Sequence, residues 1–148
     1  MNKVLKTILD FIFPIQCISC KIPGNHLCDK CFSKIPLRDK KQCPICNKEQ
    51  ADNELCQSCQ QQTCLDKIII CSDYENETLQ KTIHAFKYSN VKDLDQILGK
   101  ILINKYQQGN KLPEPIIIPT PLHRKRQLER GFNQCKLLAQ VFANSFNL

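Results

Sequence analysis

Four C-x-x-C pairs before residue 60, an isoleucine run bracketed by prolines, and apolar residues recurring at helical spacing through the second half predict an α/β chain. A small N-terminal zinc-ribbon region is expected to be followed by an incomplete parallel sheet carrying helices. The 148 residues are 42% hydrophobic and 24% charged, which excludes a collagen-like or wholly disordered chain. Formal net charge is +7 with cysteine counted as neutral, and eight thiolates on two Zn²⁺ would lower it to about +3. Anion binding must then come from local clusters rather than from the field of the whole surface.

The chain opens with Lys3 and Lys6 ahead of an apolar stretch, as a signal peptide would, but Asp10 interrupts the stretch and no small-residue cleavage site follows. Val4, Leu5, Ile8, Leu9 and Ile12 recur at helical spacing up to Pro14, so residues 1–15 read as an amphipathic docking helix, with a membrane anchor as the alternative. No segment approaches the roughly 20 apolar residues of a spanning helix, and a cytoplasmic location is expected.

Residues 16–64 carry the paired cysteines among Lys, Gln, Asn, Pro and Asp, with few large apolar side chains. Such a stretch cannot build a conventional core, so metal must supply its folding energy. The pairs are Cys17 with Cys20, Cys28 with Cys31, Cys43 with Cys46, and Cys56 with Cys59. Zinc takes four tetrahedral ligands, and two C-x-x-C turns complete a closed structural site, so four turns imply two zincs. Redox C-x-x-C motifs occur singly, and the spacing is not a ferredoxin run. Sequential pairing, 17/20/28/31 and 43/46/56/59, is the simplest arrangement; a cross-braced pairing stays open. The odd total of 11 cysteines argues against full disulfide pairing and leaves Cys64, Cys71 and Cys135 over. Cys71 reads as a small buried hydrophobe. Lys30, Lys34, Arg38, Lys40 and Lys41, diluted by Asp29 and Asp39, read as a solvated linker between the sites.

Residues 65–148 change character. "KIIICSDY" reads as a strand or hairpin arm, and Leu79, Ile83 and Phe86 mark a helix ending near "FKYSN". A second helix begins near Asp93, with Leu94, Ile97, Leu98, Ile101 and Leu102 on one face and Gly109-Asn110 as its stop. Ile116–Ile118 follows as a strand buried on both faces, and Leu137, Leu138, Val141 and Phe142 mark a last helix between Phe132 and Phe146.

Between that strand and that helix lies "PTPLHRKRQLERGFNQ". A loop at a strand's carboxyl end, leading into a helix, is where open α/β sheets bind anions, and guanidinium groups suit phosphate. A merely solvated basic loop is the competing reading. His84 and His123 read as surface and loop residues.

The four C-x-x-C pairs, "HAFKY" and "IIIPTPLHRKRQLERGFNQ" together resemble the ComF family (competence protein F and GntX-like proteins) over essentially the whole chain. The resemblance implies a double zinc ribbon joined to a type I phosphoribosyltransferase-like domain whose first core strand is Ile116–Ile118. Residues 120–131 would be its pyrophosphate loop, with Arg124, Arg126, Arg130 and Gly131 facing phosphoribosyl pyrophosphate. It further implies cytoplasmic handling of incoming single-stranded DNA during natural transformation, with single-stranded DNA and proteins of DNA uptake or recombination as partners. Transferases of this type also use an adjacent acidic pair and a Thr-Thr-Gly loop. Neither occurs here, so the sheet is expected to be incomplete, the chain truncated, and full transferase activity absent. A complete transferase and a zinc-ribbon protein-interaction module are the alternatives.

Overall fold

The computed structural model describes residues 14–50, 54–109 and 115–148. The docking helix expected over residues 1–15 lies almost wholly outside them.

Each cysteine-rich segment begins with a tight antiparallel turn, closed by a single bridge, Gln16 to Pro23 in the first and Gln42 to Glu49 in the second. Each ends in a short helix, α1 (Asp29–Phe32) and α2 (Gln57–Gln61). After these come α3 (Glu77–Tyr88), α4 (Leu94–Gln107), α5 (Arg124–Arg130) and α6 (Gln134–Phe146).

The helix α3 starts at an Asx cap: the Asn76 side chain accepts from the Leu79 amide at 3.0 Å. Its amide nitrogen donates to the Lys34 carbonyl at 2.9 Å, tying the helix start to the ribbon. Thr78, Leu79, Thr82, Ala85 and Phe86 form its buried face, and Thr82 satisfies its hydroxyl by donating to the Thr78 carbonyl at 2.7 Å. From α4, Leu94, Leu98 and Ile101 are buried in the same core. Tyr106 meets Phe142 and Phe146 edge-on, with ring centroids 5.0 and 5.3 Å away.

The helices α4 and α6 approach so closely that only glycine fits at position 99. A Cβ there would lie 2.4 Å from Val141 Cγ1 and 3.1 Å from Val141 Cβ. Valine is branched at Cβ and has no flexible end to swing away.

The main core is continuous from the first ribbon to the last helix. Cys17, Leu27, Cys31 and Ile35 are buried with Leu79, Phe86, Leu94, Leu98, Ile101 and Phe132, and Leu137 and Leu138 pack against them. A separate small cluster holds Cys43, Leu55, Cys56 and Cys59, with Ile68 against it.

The expected parallel sheet of type I phosphoribosyltransferase kind is overturned: among the described residues there is no sheet, only the two isolated bridges. Ile116 and Ile118, expected to be buried on both faces, are 88% and 82% exposed. Pro115, Pro119 and Pro121 remove three backbone donors around the run, and no described strand lies alongside it. The run Ile68–Ile70 is likewise unpaired; the nearest anchor is the Arg38 amide donating to the Cys71 carbonyl at 2.9 Å. Residues 124–130, expected within a loop, form α5. Its Arg, Lys, Gln, Leu and Glu are good helix formers, and Gly131, at φ 74°, closes it by donating to the Gln127 carbonyl at 2.8 Å.

Part of the stretch between the ribbons is pinned rather than solvated. Asp73 accepts from Arg38 and, at 2.9 Å, from Lys40, and Ser72 donates to the Pro36 carbonyl at 2.7 Å. The Arg38 side chain is only 13% exposed, whereas Lys30, Lys34 and Lys41 are exposed.

Two outcomes follow. Gly99→Ala should destabilise the chain by about 1–3 kcal/mol through overpacking, read as a lower midpoint of thermal unfolding, and Val141→Ala in the same chain should restore part of the loss. Lys40 and then Arg38 hold the Asp73 carboxyl below its ordinary range, against the opposing effect of burial. A depressed folded pKa stabilises above the unfolded value of about 3.9 and is lost as pH falls through the folded value. Asp73→Asn should therefore lower the thermal midpoint at neutral pH, and the gap from the parent chain should close in acid below about pH 4.

Candidate metal centres and the basic helix

In the first ribbon, Cys17 and Cys20 sit on a turn in which the Lys21 amide donates to the Cys17 carbonyl at 2.8 Å and the Cys17 amide to the Ile22 carbonyl at 2.9 Å. The second ribbon repeats it: the Asn47 amide donates to the Cys43 carbonyl at 3.0 Å and the Cys43 amide to the Lys48 carbonyl at 2.8 Å. Lys21 and Asn47 hold equivalent left-handed positions, with φ of 64° and 59°. Cys28 and Cys56 occupy the N-caps of α1 and α2, and Cys31 and Cys59 lie one turn in, which folds each second pair back over the first.

The result is two sequential tetrads, Cys17/Cys20/Cys28/Cys31 and Cys43/Cys46/Cys56/Cys59, in each of which all sulfur atoms lie within 4.8 Å of one another. The cross-braced pairing is thereby excluded. Cys20 to Cys28 and Cys46 to Cys56 are each 3.6 Å between sulfurs. Four thiolates at about 2.3 Å from a tetrahedral Zn²⁺ would stand about 3.8 Å apart, so both donor sets fit the ion.

The electrostatics of the tetrads also call for a cation. Burial raises the Cys17 thiol, but the amides of Cys20, Cys28 and Ser19 together outweigh it and bring the thiol down to about 6. The amides of Cys46 and Cys56 do the same for Cys43, again to about 6, against burial. Cys31 is pushed up to about 11 by burial, and Cys59 up to about 12 by its contact with the Cys56 sulfur and by burial. The thiols of Cys17 in the first set and of Cys43 and Cys56 in the second are thus lowered, while those of Cys31 and Cys59 are raised. A dication is what makes four adjacent thiolates tolerable.

The remaining cysteines take no part: Cys64 and Cys135 are exposed, and Cys71 packs at the edge of the main core with its thiol raised by burial.

The basic residues of α5 stand apart from the tetrads. No residue of α5 is buried, and among the described residues Arg124, Lys125, Arg126 and Arg130 have no carboxylate partner. His123 caps the helix, its Nδ1 accepting from the Lys125 amide at 3.3 Å. Of the expected anion contacts, Arg126, Arg130 and Gly131 line one depression of about 510 Å³, whereas Arg124 is not in its wall. The Gly131 amide is already engaged in closing α5. The same wall contains Lys87 and Tyr88 from the end of α3, which the sequence reading assigned to nothing. Their signal was available: "HAFKY" ends a helix at the point where its apolar spacing stops.

Residues 8–60 match the family model of the double zinc ribbon domain. The chain is 34% identical over 139 residues to competence protein F of Haemophilus influenzae, a match covering 86% of this chain and 59% of that protein. It is 23% identical over 124 residues to competence protein ComFC of Bacillus subtilis, covering 80% and 52%. With DNA utilization protein YhgH of Shigella flexneri it shares 30% over 138 residues, covering 86% and 60%. The chain thus spans between half and three fifths of the length of these curated relatives. No solved structure matches it.

The two centres should differ in what depends on them, because only the first is built into the main core. Cys31→Ser and Cys59→Ser should each reduce bound zinc from two ions per chain to one. Cys31→Ser should also abolish cooperative thermal unfolding, while Cys59→Ser should leave the helical transition within a few degrees of the parent; circular dichroism and a colorimetric zinc assay read both.

Proposed function

The chain belongs to the ComF family, and from that premise we propose that it handles incoming single-stranded DNA in the cytoplasm during natural transformation. Proteins of DNA uptake or recombination are its expected partners there. The observation that carries this reading is α5, which presents Arg124, Lys125, Arg126 and Arg130 on the surface, free of carboxylate partners among the described residues. Long cationic side chains held by no internal anion can take phosphates without first breaking an ion pair. With about +3 of net charge on the zinc-loaded chain, this local cluster rather than the overall field has to attract the strand.

The same side chains support a second, narrower reading. Arg126 and Arg130 on one depression could hold a diphosphate such as that of phosphoribosyl pyrophosphate, with Arg124 outside that wall.

Titration of the zinc-loaded chain with a labelled oligodeoxythymidylate, at several salt concentrations, tests the DNA reading. Three or four phosphate contacts predict a slope of log affinity against log salt of about −2 to −3. The triple variant Arg124→Ala, Arg126→Ala, Arg130→Ala should lose most of the affinity and flatten the slope. Absence of binding at low salt, or a triple variant that binds like the parent, would refute the reading; the latter result would favour a zinc-ribbon protein-interaction module.

A further inference from the structure

The two elements "HAFKY" and "RGFNQ" lie more than 40 residues apart in the chain, yet the fold joins their ends. Phe86 and Phe132, both buried, meet at 5.6 Å between ring centroids and fasten the last turn of α3 to the approach of α6. That contact places Tyr88 beside Arg130. The guanidinium carbon lies 5.1 Å from the Tyr88 ring centroid, and one terminal nitrogen donates to the phenol oxygen at 3.4 Å. The other donates to Gln134 Oε1 at 3.2 Å. Gln134 is only 5% exposed, and its amide nitrogen is a buried donor with no partner among the described residues.

Among the described residues Arg130 is therefore positioned entirely by neutral groups, and no carboxylate there neutralises its charge. Lys87 and Arg126, in the same wall, are also without carboxylate partners among the described residues, and Glu129 is the single acid there. Tyr88 is 62% exposed despite being packed by Arg130 and by the His84 ring at 4.8 Å. A large aromatic ring held in place by its neighbours, left in solvent, and surrounded by uncompensated cations has the composition of a single-stranded nucleic acid platform: the ring takes a base and the cations take phosphates.

We propose that Tyr88 and Arg130, with Lys87 and Arg126, form a one-nucleotide subsite in which a base of single-stranded DNA stacks on the Tyr88–Arg130 pair. The flanking phosphates lie against Lys87 and Arg126. This rests on the DNA reading of the preceding subsection and adds to it a base contact, which a basic surface alone does not provide. It also separates a DNA strand from a free diphosphate, which has no ring to stack.

The test compares the zinc-loaded parent chain, Tyr88→Ala and Tyr88→Phe on two oligomers of equal length, one of thymidine and one of abasic sites. Tyr88→Ala should bind the thymidine oligomer roughly 5- to 100-fold more weakly and the abasic oligomer as the parent does, with its salt slope unchanged. Tyr88→Phe, which keeps the ring and loses the hydrogen bond to Arg130, should stay within about twofold of the parent on both. A 2-aminopurine placed in the oligomer should be quenched by the parent and by Tyr88→Phe only. Three results overturn the subsite while leaving the DNA reading intact: Tyr88→Ala equal to the parent on thymidine, Tyr88→Ala equally weakened on both oligomers, or Tyr88→Phe as weak as Tyr88→Ala. If the parent binds neither oligomer, the DNA reading fails and the subsite with it.

Discussion

Everything in the main core rests on four sulfur atoms drawn to one point. Cys17 and Cys31, at opposite ends of the first tetrad, are buried among Leu27, Ile35, Leu79 and Phe86, so the tetrad is at once a metal site and part of the hydrophobic interior. Few large apolar side chains occur in residues 16–64, and the ribbon could not hold its shape by burial alone. With the tetrad closed, Leu27 and Ile35 become a surface on which α3 and α4 can pack. Two polar contacts reinforce the join, the Ser19 hydroxyl at 3.2 Å from that of Thr78 and the Asn76 amide on the Lys34 carbonyl.

The second tetrad has the same local design and a different place in the molecule. Its turn, its left-handed residue and its capping cysteine repeat those of the first, but its apolar surroundings are a small separate cluster. It is held to the rest by the pinned stretch around Arg38 and Asp73 and by Lys105 of α4, which donates to the Arg38 carbonyl at 2.5 Å. Identical ligand chemistry therefore supports two roles, one stabilising the whole core and the other a local outpost of it.

Helix packing then decides where the functional chemistry gathers. Phe86 against Phe132 and Gly99 against Val141 set α6 relative to α3 and α4. As a consequence the end of α3 and the end of α5 share one depression, whose cations have no carboxylate partner among the described residues. The apolar run leading into α5 has no such settlement: Ile116 and Ile118 stay in solvent, with prolines at both ends of the run.

Local chemistry was legible in the residues themselves. The C-x-x-C spacing picked out the eight cysteines that the fold gathers into two tetrads and made sequential pairing the simplest choice, because a turn of that length can face a tetrahedral ion in few ways. The apolar periodicities located α3, α4 and α6, since a helix closes its own hydrogen bonds and needs only one apolar face to be placed. The sheet was misread for the converse reason. The β-branched runs Ile68–Ile70 and Ile116–Ile118 favour a strand, but a strand exists only when a second segment supplies its hydrogen-bond partner, and no local pattern reports that. The residues 124–130 were misread as loop because their position after an expected strand outweighed their helix-forming composition. The sequence alone thus determined the metal chemistry and the helices, whose interactions are short-range in the chain. Only the tertiary structure decided which tetrad carries the core and that Tyr88 meets Arg130, because both depend on contacts between segments that chain order leaves far apart.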